Sequence, residues 1–435
     1  MHLLKSLLLA CLGTVTLCQA QTTRQELSAV KERTAGNYYA YPTPSGKLTA
    51  APEGYKPFYI SHYGRHGSRY MIDDVDPKEV RDVLRSAEQD GVLTKLGKET
   101  IKHLDVFIET MDGRNSELTP VGHAQHKGIA NRMFKAYPEV FNGHTKIDAR
   151  STPVHRTILS MGAFCQELKS LNGDLDITND ASEHDMFFMC NKNHAESHKT
   201  SDAEVAWKKA YDAFNEANYH SDRFMNSLFT KKGYLPVGKA NKFMRQMFNV
   251  ACDVQDMTDM GFSLYPLFND DELFDFWQSQ NAYWYGSIGL SPIQDGDGPE
   301  IAANLLRNII DNAQNAIGSD QPSVTLRFGH DTGILPLLAL MRVGGAYCKV
   351  ADLKELYKSW ADYKLIPMAA NLQLVFYRNS KGNVLVKALL NEEETTLPAK
   401  AFSGPYYQWN EVLDYYEEML SHIRNVKPSV TIYKH

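Results

Sequence analysis

Three strand candidates in this chain end on charged residues, and each is followed at once by a turn or helix signal. The first, Pro57-Phe58-Tyr59-Ile60-Ser61-His62-Tyr63, is aromatic and β-branched and runs through Gly64 into Arg65-His66-Gly67-Ser68-Arg69. The second, His144 to Ala149, stops at Arg150. Thr152-Pro153 then supplies a capping hydroxyl and a helix-opening proline, with Val154, Ile158, Met161, Cys165 and Leu168 at helical spacing to about Leu171. The third, Val324 to Phe328, ends on Gly329-His330-Asp331 and leads into another helix. In an open α/β sheet, ligands bind beyond the carboxyl ends of the strands. The pattern predicts an open α/β sheet with flanking helices, and a single site on which three clusters distant in sequence converge.

The rest of the chain fills in around that frame. Helices are predicted near 77–90 and 95–112, and Thr119-Pro120 opens another. From about 180 to 295 the character changes to aromatics, methionines and polar residues, with helical segments at 202–217, 239–249 and 269–283. This reads as a mainly helical cap inserted at 181–294 into an α/β core of 21–180 and 295–435. A helix near 298–317 precedes the third strand. Leu372 to Tyr377 and Val384 to Leu390 flank Asn379-Ser380-Lys381-Gly382-Asn383 as a hairpin, and a last helix spans roughly 407–423. Residues 21–56, with Pro42, Pro44, Pro52 and Gly54, read as an irregular approach.

Residues 1–20 read as a signal peptide: Lys5, an apolar stretch from Ser6 to Leu17, then Cys18-Gln19-Ala20. Export to the periplasm or the extracellular space is the expectation. Leu8-Leu9-Ala10-Cys11 also resembles a lipoprotein cleavage box, although the apolar run before Cys11 is very short. No segment is apolar enough to span a membrane. Cys165, Cys190, Cys252 and Cys348 remain after cleavage; their even count permits disulfides, but their spacing assigns no pairing. Cys190, His194 and His198 come nearest to a metal pattern, yet a solvated polar loop is the better reading. A formal charge of -6 gives no nucleic-acid footprint, so an anionic ligand would need a local arginine cluster.

Such a cluster is what the strand ends supply. Arginine donates paired hydrogen bonds from a planar fork and keeps its charge, which suits Arg65, Arg69 and Arg150 to phosphate oxygens. Gly67 lets the backbone bend closely around the group. A neutral imidazole at His66 can attack phosphorus in line, and neighbouring arginines disfavour its protonation. Asp331 can protonate the leaving oxygen and then activate water, which predicts an acidic optimum. His330 is a further donor. Arg156, on the helix after Arg150, either lines the site or makes a structural ion pair. His62 and His123 read as structural; Lys231-Lys232 and Tyr283-Trp284-Tyr285 read as surface charge and cap core. The scheme needs neither metal nor other cofactor, and its partner is a small anionic phosphorylated substrate.

With these residues in place, the chain resembles the histidine acid phosphatase family, the larger branch of the histidine phosphatases. The resemblance is carried by Arg65-His66-Gly67-Ser68-Arg69, Thr119-Pro120-Val121-Gly122, Arg150-Ser151-Thr152 with Arg156-Thr157, and Gly329-His330-Asp331. It implies a phosphoglycerate-mutase-like α/β core with a helical cap and a phosphohistidine mechanism without metal. It further implies His66 as nucleophile, Asp331 as proton donor, and Arg65, Arg69, Arg150 and His330 as phosphate ligands. Asn371-Leu372-Gln373-Leu374 and Leu389-Leu390-Asn391-Glu392 look like the C-terminal region of multiple inositol polyphosphate phosphatases. Two positions depart from pattern: Met71 stands where the wider family often has proline, and His330-Asp331-Thr332 stands where inositol polyphosphate phosphatases often carry His-Ala-Glu, Asp being the usual acid in the wider family. The reading that follows is an acid phosphatase favouring inositol phosphates such as phytate. Sugar phosphates or nucleotides are the alternative substrates. A phosphomutase and a non-enzymatic phosphate binder are the alternative classes.

Overall fold

The computed structural model describes residues 23–72, 75–189, 202–257, 260–294, 298–319 and 321–428. The signal-peptide and Cys11 readings, and the Cys190-His194-His198 group, lie outside the described residues. Its centre is a nine-stranded mixed sheet. The strands are β1 (Lys56–Arg65), β2 (Lys146–Ser151), β3 (Asp176–Asp180), β4 (Ser323–Gly329), β5 (Asn371–Arg378), β6 (Val384–Leu390), β7 (Glu393–Thr395), β8 (Ala401–Ser403) and β9 (Tyr406–Gln408). They run in the order β3-β2-β4-β1-β5-β6-β9-β8, with β7 beside β6. β3, β2, β4 and β1 are parallel, so the three charged strand ends lie along one edge: Arg65 is register partner of Gly329, and Ser151 of Phe328. β5 runs antiparallel to β1 and turns back to β6 at Asn379, whose side chain accepts from the amides of Lys381 and Asn383, both at 3.0 Å.

Alternation along the central strands feeds two cores. Ile60, Val324, Leu326 and Phe328 face helices Pro120–Ala136 and His155–Leu171. Tyr59, Tyr63, Leu372, Leu374 and Phe376 face helices Ala303–Ile317, Asp331–Leu340 and Trp409–Ser421. Helices on both faces of a largely parallel stretch of strands make this an α/β sandwich. Among the described residues no helix is long and apolar enough to cross a membrane, and Cys165, Cys252 and Cys348 are free thiols.

Several local expectations shift. The approach at 21–56 is not irregular throughout: 23–29 is helical and Lys31–Tyr38 forms 3₁₀ turns, a single-turn geometry too short to show a period. The short strands β3, β7, β8 and β9 carry no clear alternation and escape sequence reading. The helix expected to be capped by Thr152 starts at His155, because the Thr152 hydroxyl is engaged elsewhere. The cap also divides differently from the expected 181–294 block. Helices Pro77–Gln89 and Lys95–Met111 pack in one apolar cluster with Asp222–Leu228, Val237–Val254 and part of Asp270–Ser287. Phe188, Trp207, Phe214 and Tyr285 pack instead against the sheet-side core.

His62 and His126 are wholly buried beneath the site, His62 between Phe164 and Phe328. Burial, and for each the charge of a neighbouring histidine, pulls both imidazoles down to about 3. The unfolded chain takes up these protons near pH 6.5 and the folded chain does not. Stability from this pair is therefore complete above about pH 6.5 and falls progressively towards pH 3, by about 2–3 kcal/mol per histidine at pH 4.5. Thermal melts of His62→Leu should show a shallower loss of Tm between pH 7 and 4 than the parent. An unchanged slope would contradict the assignment.

Candidate active site

The loop after β1 is fixed from both sides before any ligand enters. Arg65 N–H donates to the Ala370 carbonyl at 2.7 Å, His66 N–H to Gly329 at 2.9 Å, and the His66 carbonyl accepts from Ala369 N–H at 2.9 Å. Thr119 anchors the far side, its amide and hydroxyl both donating to the Ser68 carbonyl at 2.9 and 3.0 Å. The same hydroxyl caps helix Pro120–Ala136. The helix comes so close that a Cβ on Gly67 would lie 2.6 Å from the Gly122 carbonyl oxygen. The Thr-Pro-Val-Gly segment and the Arg-His-Gly loop therefore form one packed unit, although Ser68 and Thr119 lie 51 positions apart.

His66 is buried, and its Nδ1 lies 2.8 Å from the Gly67 carbonyl oxygen. A carbonyl only accepts, so Nδ1 carries the proton and Nε2 keeps its lone pair. Burial, then the charges of Arg65, Arg156, His330 and Arg69, hold this imidazole well below the usual histidine range. The same charges and burial disfavour its protonation. The His330 ring stands edge-on at 5.6 Å, and its Nε2 meets the Thr152 hydroxyl at 3.0 Å.

Arg65 is completely buried, donating to Asp331 at 2.7 Å and to the carbonyls of Asn37 and, at 2.8 Å, Ile366. Its Nε is buried without a hydrogen-bond partner. Arg69 is held by the Tyr70 carbonyl at 3.1 Å, the Asp253 carboxylate at 3.5 Å and the Tyr38 ring at 4.8 Å. Arg156 adds a third guanidinium. It reaches the Ser116 hydroxyl at 3.5 Å, its Nε is unpartnered, and burial and then Arg69 bring it down to about 10. Its charge acts on His66, Arg69 and Asp331 together. Together the three guanidiniums make a cradle whose unmatched donors can hold an anion.

Asp331 opens helix Asp331–Leu340, as acidic residues favour. Burial pushes its carboxyl up, but Arg65, His330, the Thr332 amide and Asn37 outweigh this and hold it below the ordinary value. A phosphate dianion sharing Arg65 would weaken that pull and add a like charge, both of which raise it.

The expectation that Arg150 binds phosphate is corrected. Its side chain is enclosed by Asp148 at 2.9 Å, Asp180 at 2.8 Å and Asp185 at 3.0 Å. Arg150 and Arg327 are register partners and so face the same side of the sheet. Arg327 bonds Ser61 and Asn308 on that side. Arg156, six positions on and at the start of the helix, is the guanidinium brought to His66. The other expectations divide simply. His123 is half-buried on its helix, Lys231 and Lys232 are solvated, Tyr283 is exposed, and Tyr285 is core.

Sequence reading missed four supports. Asp253 and Asp256 reach in from the insertion; Ser68 donates to Asp256 at 2.5 Å and accepts from Gln125 at 2.8 Å. Burial first, then Asp253, drives the Asp256 carboxyl well up. Asn391 and Glu392 both adopt positive φ, 52° and 67°. Asn391 binds the Asn371 amide at 3.0 Å, and Glu392 grips Arg132 at 2.7 Å, which steadies the Ala369-Ala370 backbone behind His66. Only the Asn371 and Asn391-Glu392 segments carried a sequence signal, as part of the C-terminal resemblance.

A buried histidine, three arginines and an adjacent Asp gather at the strand ends of an α/β sandwich, and the chain belongs to the histidine phosphatase superfamily, branch 2, whose family model matches residues 64–391. It is therefore a phosphatase hydrolase. Over 418 residues it is 22% identical to multiple inositol polyphosphate phosphatase 1 of Gallus gallus, covering 88% of this chain and 85% of that one. The Bifidobacterium longum multiple inositol polyphosphate phosphatase, solved with inositol hexasulfate, superposes with a TM-score of 0.71 at 17% identity, over 88% of this chain and 97% of that one. The D. castellii phytase superposes with a TM-score of 0.68 at 15% identity, over 93% and 90%. At these identities the two solved structures speak to the fold.

Proposed function

We propose that this protein is an exported, phytase-like acid phosphatase that hydrolyses inositol polyphosphates through a phosphohistidine at His66. The observation that carries the mechanism is the Nδ1–H···O=C bond to Gly67, which leaves the Nε2 lone pair free on a ring that feels the charges of Arg65, Arg156 and Arg69. Nε2 attacks phosphorus, the bond to the leaving oxygen breaks, and Asp331 gives that oxygen its proton. The Gly67 carbonyl stabilises the positive charge on the phosphorylated ring. Water then loses a proton to Asp331, attacks phosphorus and breaks the N–P bond, restoring neutral His66. The arginines hold the equatorial oxygens throughout. The substrate reading is supported by the inositol polyphosphate names of the relatives and by the density of cationic donors. The export reading is supported by residues 1–20.

A phosphate-release screen at acidic pH over phytate, sugar phosphates and nucleotides tests the substrate. Phytate should be fastest; a negligible phytate rate beside a fast sugar-phosphate rate sinks that choice. Asp331→Asn should slow alkyl phosphates by about 10²–10⁴-fold while aryl esters with good leaving groups lose far less. Equal losses on both would remove Asp331 as the acid.

A further inference from the structure

We propose that Asn37, oriented by Gln280, is a positioning residue that holds the Asp331 carboxylate in its ionised form in the free enzyme and so sets the pH up to which the acid can act. The inference rests on the phosphohistidine reading above. Asn37 is buried and touches both members of the Arg65–Asp331 pair. Its carbonyl accepts from Arg65, and its Nδ2 donates to Asp331 Oδ2 at 3.2 Å.

The amide has one sensible orientation. Gln280 Nε2 donates to the Ala35 carbonyl at 3.0 Å, which fixes which end of Gln280 is nitrogen. That same nitrogen donates to Asn37 Oδ1 at 2.5 Å, so the end of Asn37 turned to Asp331 is the donor. A donor to a carboxylate favours the charged form. The turn presenting Asn37 is specific: Gly36 has φ 60°, and a Cβ there would lie 2.4 Å from Asp362 Oδ2. Gln280 lies on helix Asp270–Ser287, so the insertion reaches the acid through this relay.

Among the described residues, the charged and titratable groups that act on Asp331 are Arg65 and Arg69 from the loop, Arg156 from the helix after β2, its neighbour His330, and Tyr38 beside Asn37. Asp253 and Asp256 from the insertion face Arg69. All of these remain when Asn37 is shortened, so the change isolates one neutral donor. A hydrogen bond to a charged group is worth about one pH unit of acidity.

The test is the pH dependence of kcat/KM on glycerol 2-phosphate, whose leaving group needs the proton. Asn37→Ala should move the alkaline limb upward by about one pH unit, and Gln280→Ala should move it the same way by less. Asp331→Asn should remove that limb. Limbs unmoved, or moved downward, in both Asn37→Ala and Gln280→Ala while Asp331→Asn loses its limb would overturn this inference alone. A limb that persists in Asp331→Asn overturns the acid assignment, and the inference with it. A merely structural role for Asn37 lowers activity evenly across pH and also counts against it.

Discussion

His66→Ala should lower phosphate release by at least about 10⁴-fold, the scale on which removal of a covalent nucleophile acts. The loss should fall on turnover, because Arg65, Arg69 and Arg156 remain to bind the anion. Labelled phosphate trapped on the parent enzyme by alkaline denaturing quench should be absent from the variant. Stability should move the other way at low pH. The folded imidazole resists a proton that the unfolded one accepts, so its contribution worsens as pH falls below about 6.5. His66→Ala should therefore melt at or above the parent temperature near pH 5. Near-normal turnover in this variant would end the phosphohistidine reading.

Exchanging the fates of two arginines is the second large effect. Arg150→Ala leaves Asp148, Asp180 and Asp185 without their shared cation, at a cost of about 3–5 kcal/mol. Its Tm should drop, while KM measured on the folded fraction stays close to the parent value. Arg156→Ala should do the reverse. It relieves repulsion from Arg65 and Arg69, so the fold keeps its Tm, while kcat/KM falls by about 10²–10³-fold through loss of one oxyanion donor. Calorimetry beside steady-state kinetics separates the two. A stable Arg150→Ala with weak phosphate binding would reinstate Arg150 as the ligand.

That exchange marks where sequence reading runs out. The strand ends were legible because aromatic and β-branched runs stop at glycine and charge, and the parallel edge of β1, β2 and β4 follows from them. Helix starts at Pro77 and Pro120 were equally legible. Arg150 misled because a strand residue's face depends on register, which a single sequence does not state; its carboxylate partners are two, 30 and 35 residues away. Asn37, Asp253 and Asp256 were invisible for a related reason. Each sits in a segment with no motif and acts through side-chain partners far along the chain: Asn37 on Asp331 across 294 positions, Asp253 on Arg69 across 184, Asp256 on Ser68 across 188. How the cap packs was not legible either, because helices near 77–111 follow the catalytic loop in sequence, yet pack with the insertion.

The distances along the chain that close the cradle also say when it can form. Asn37 meets Asp331 across 294 positions, and Arg65 meets Ile366 across 301. Closing loops of that length is slow relative to forming the helices around them. A refolding chain should therefore regain most of its helices before it holds an assembled cradle. The arginines would meanwhile repel one another until Asp331 and Asp253 arrive to offset them, so a half-formed site opposes its own assembly.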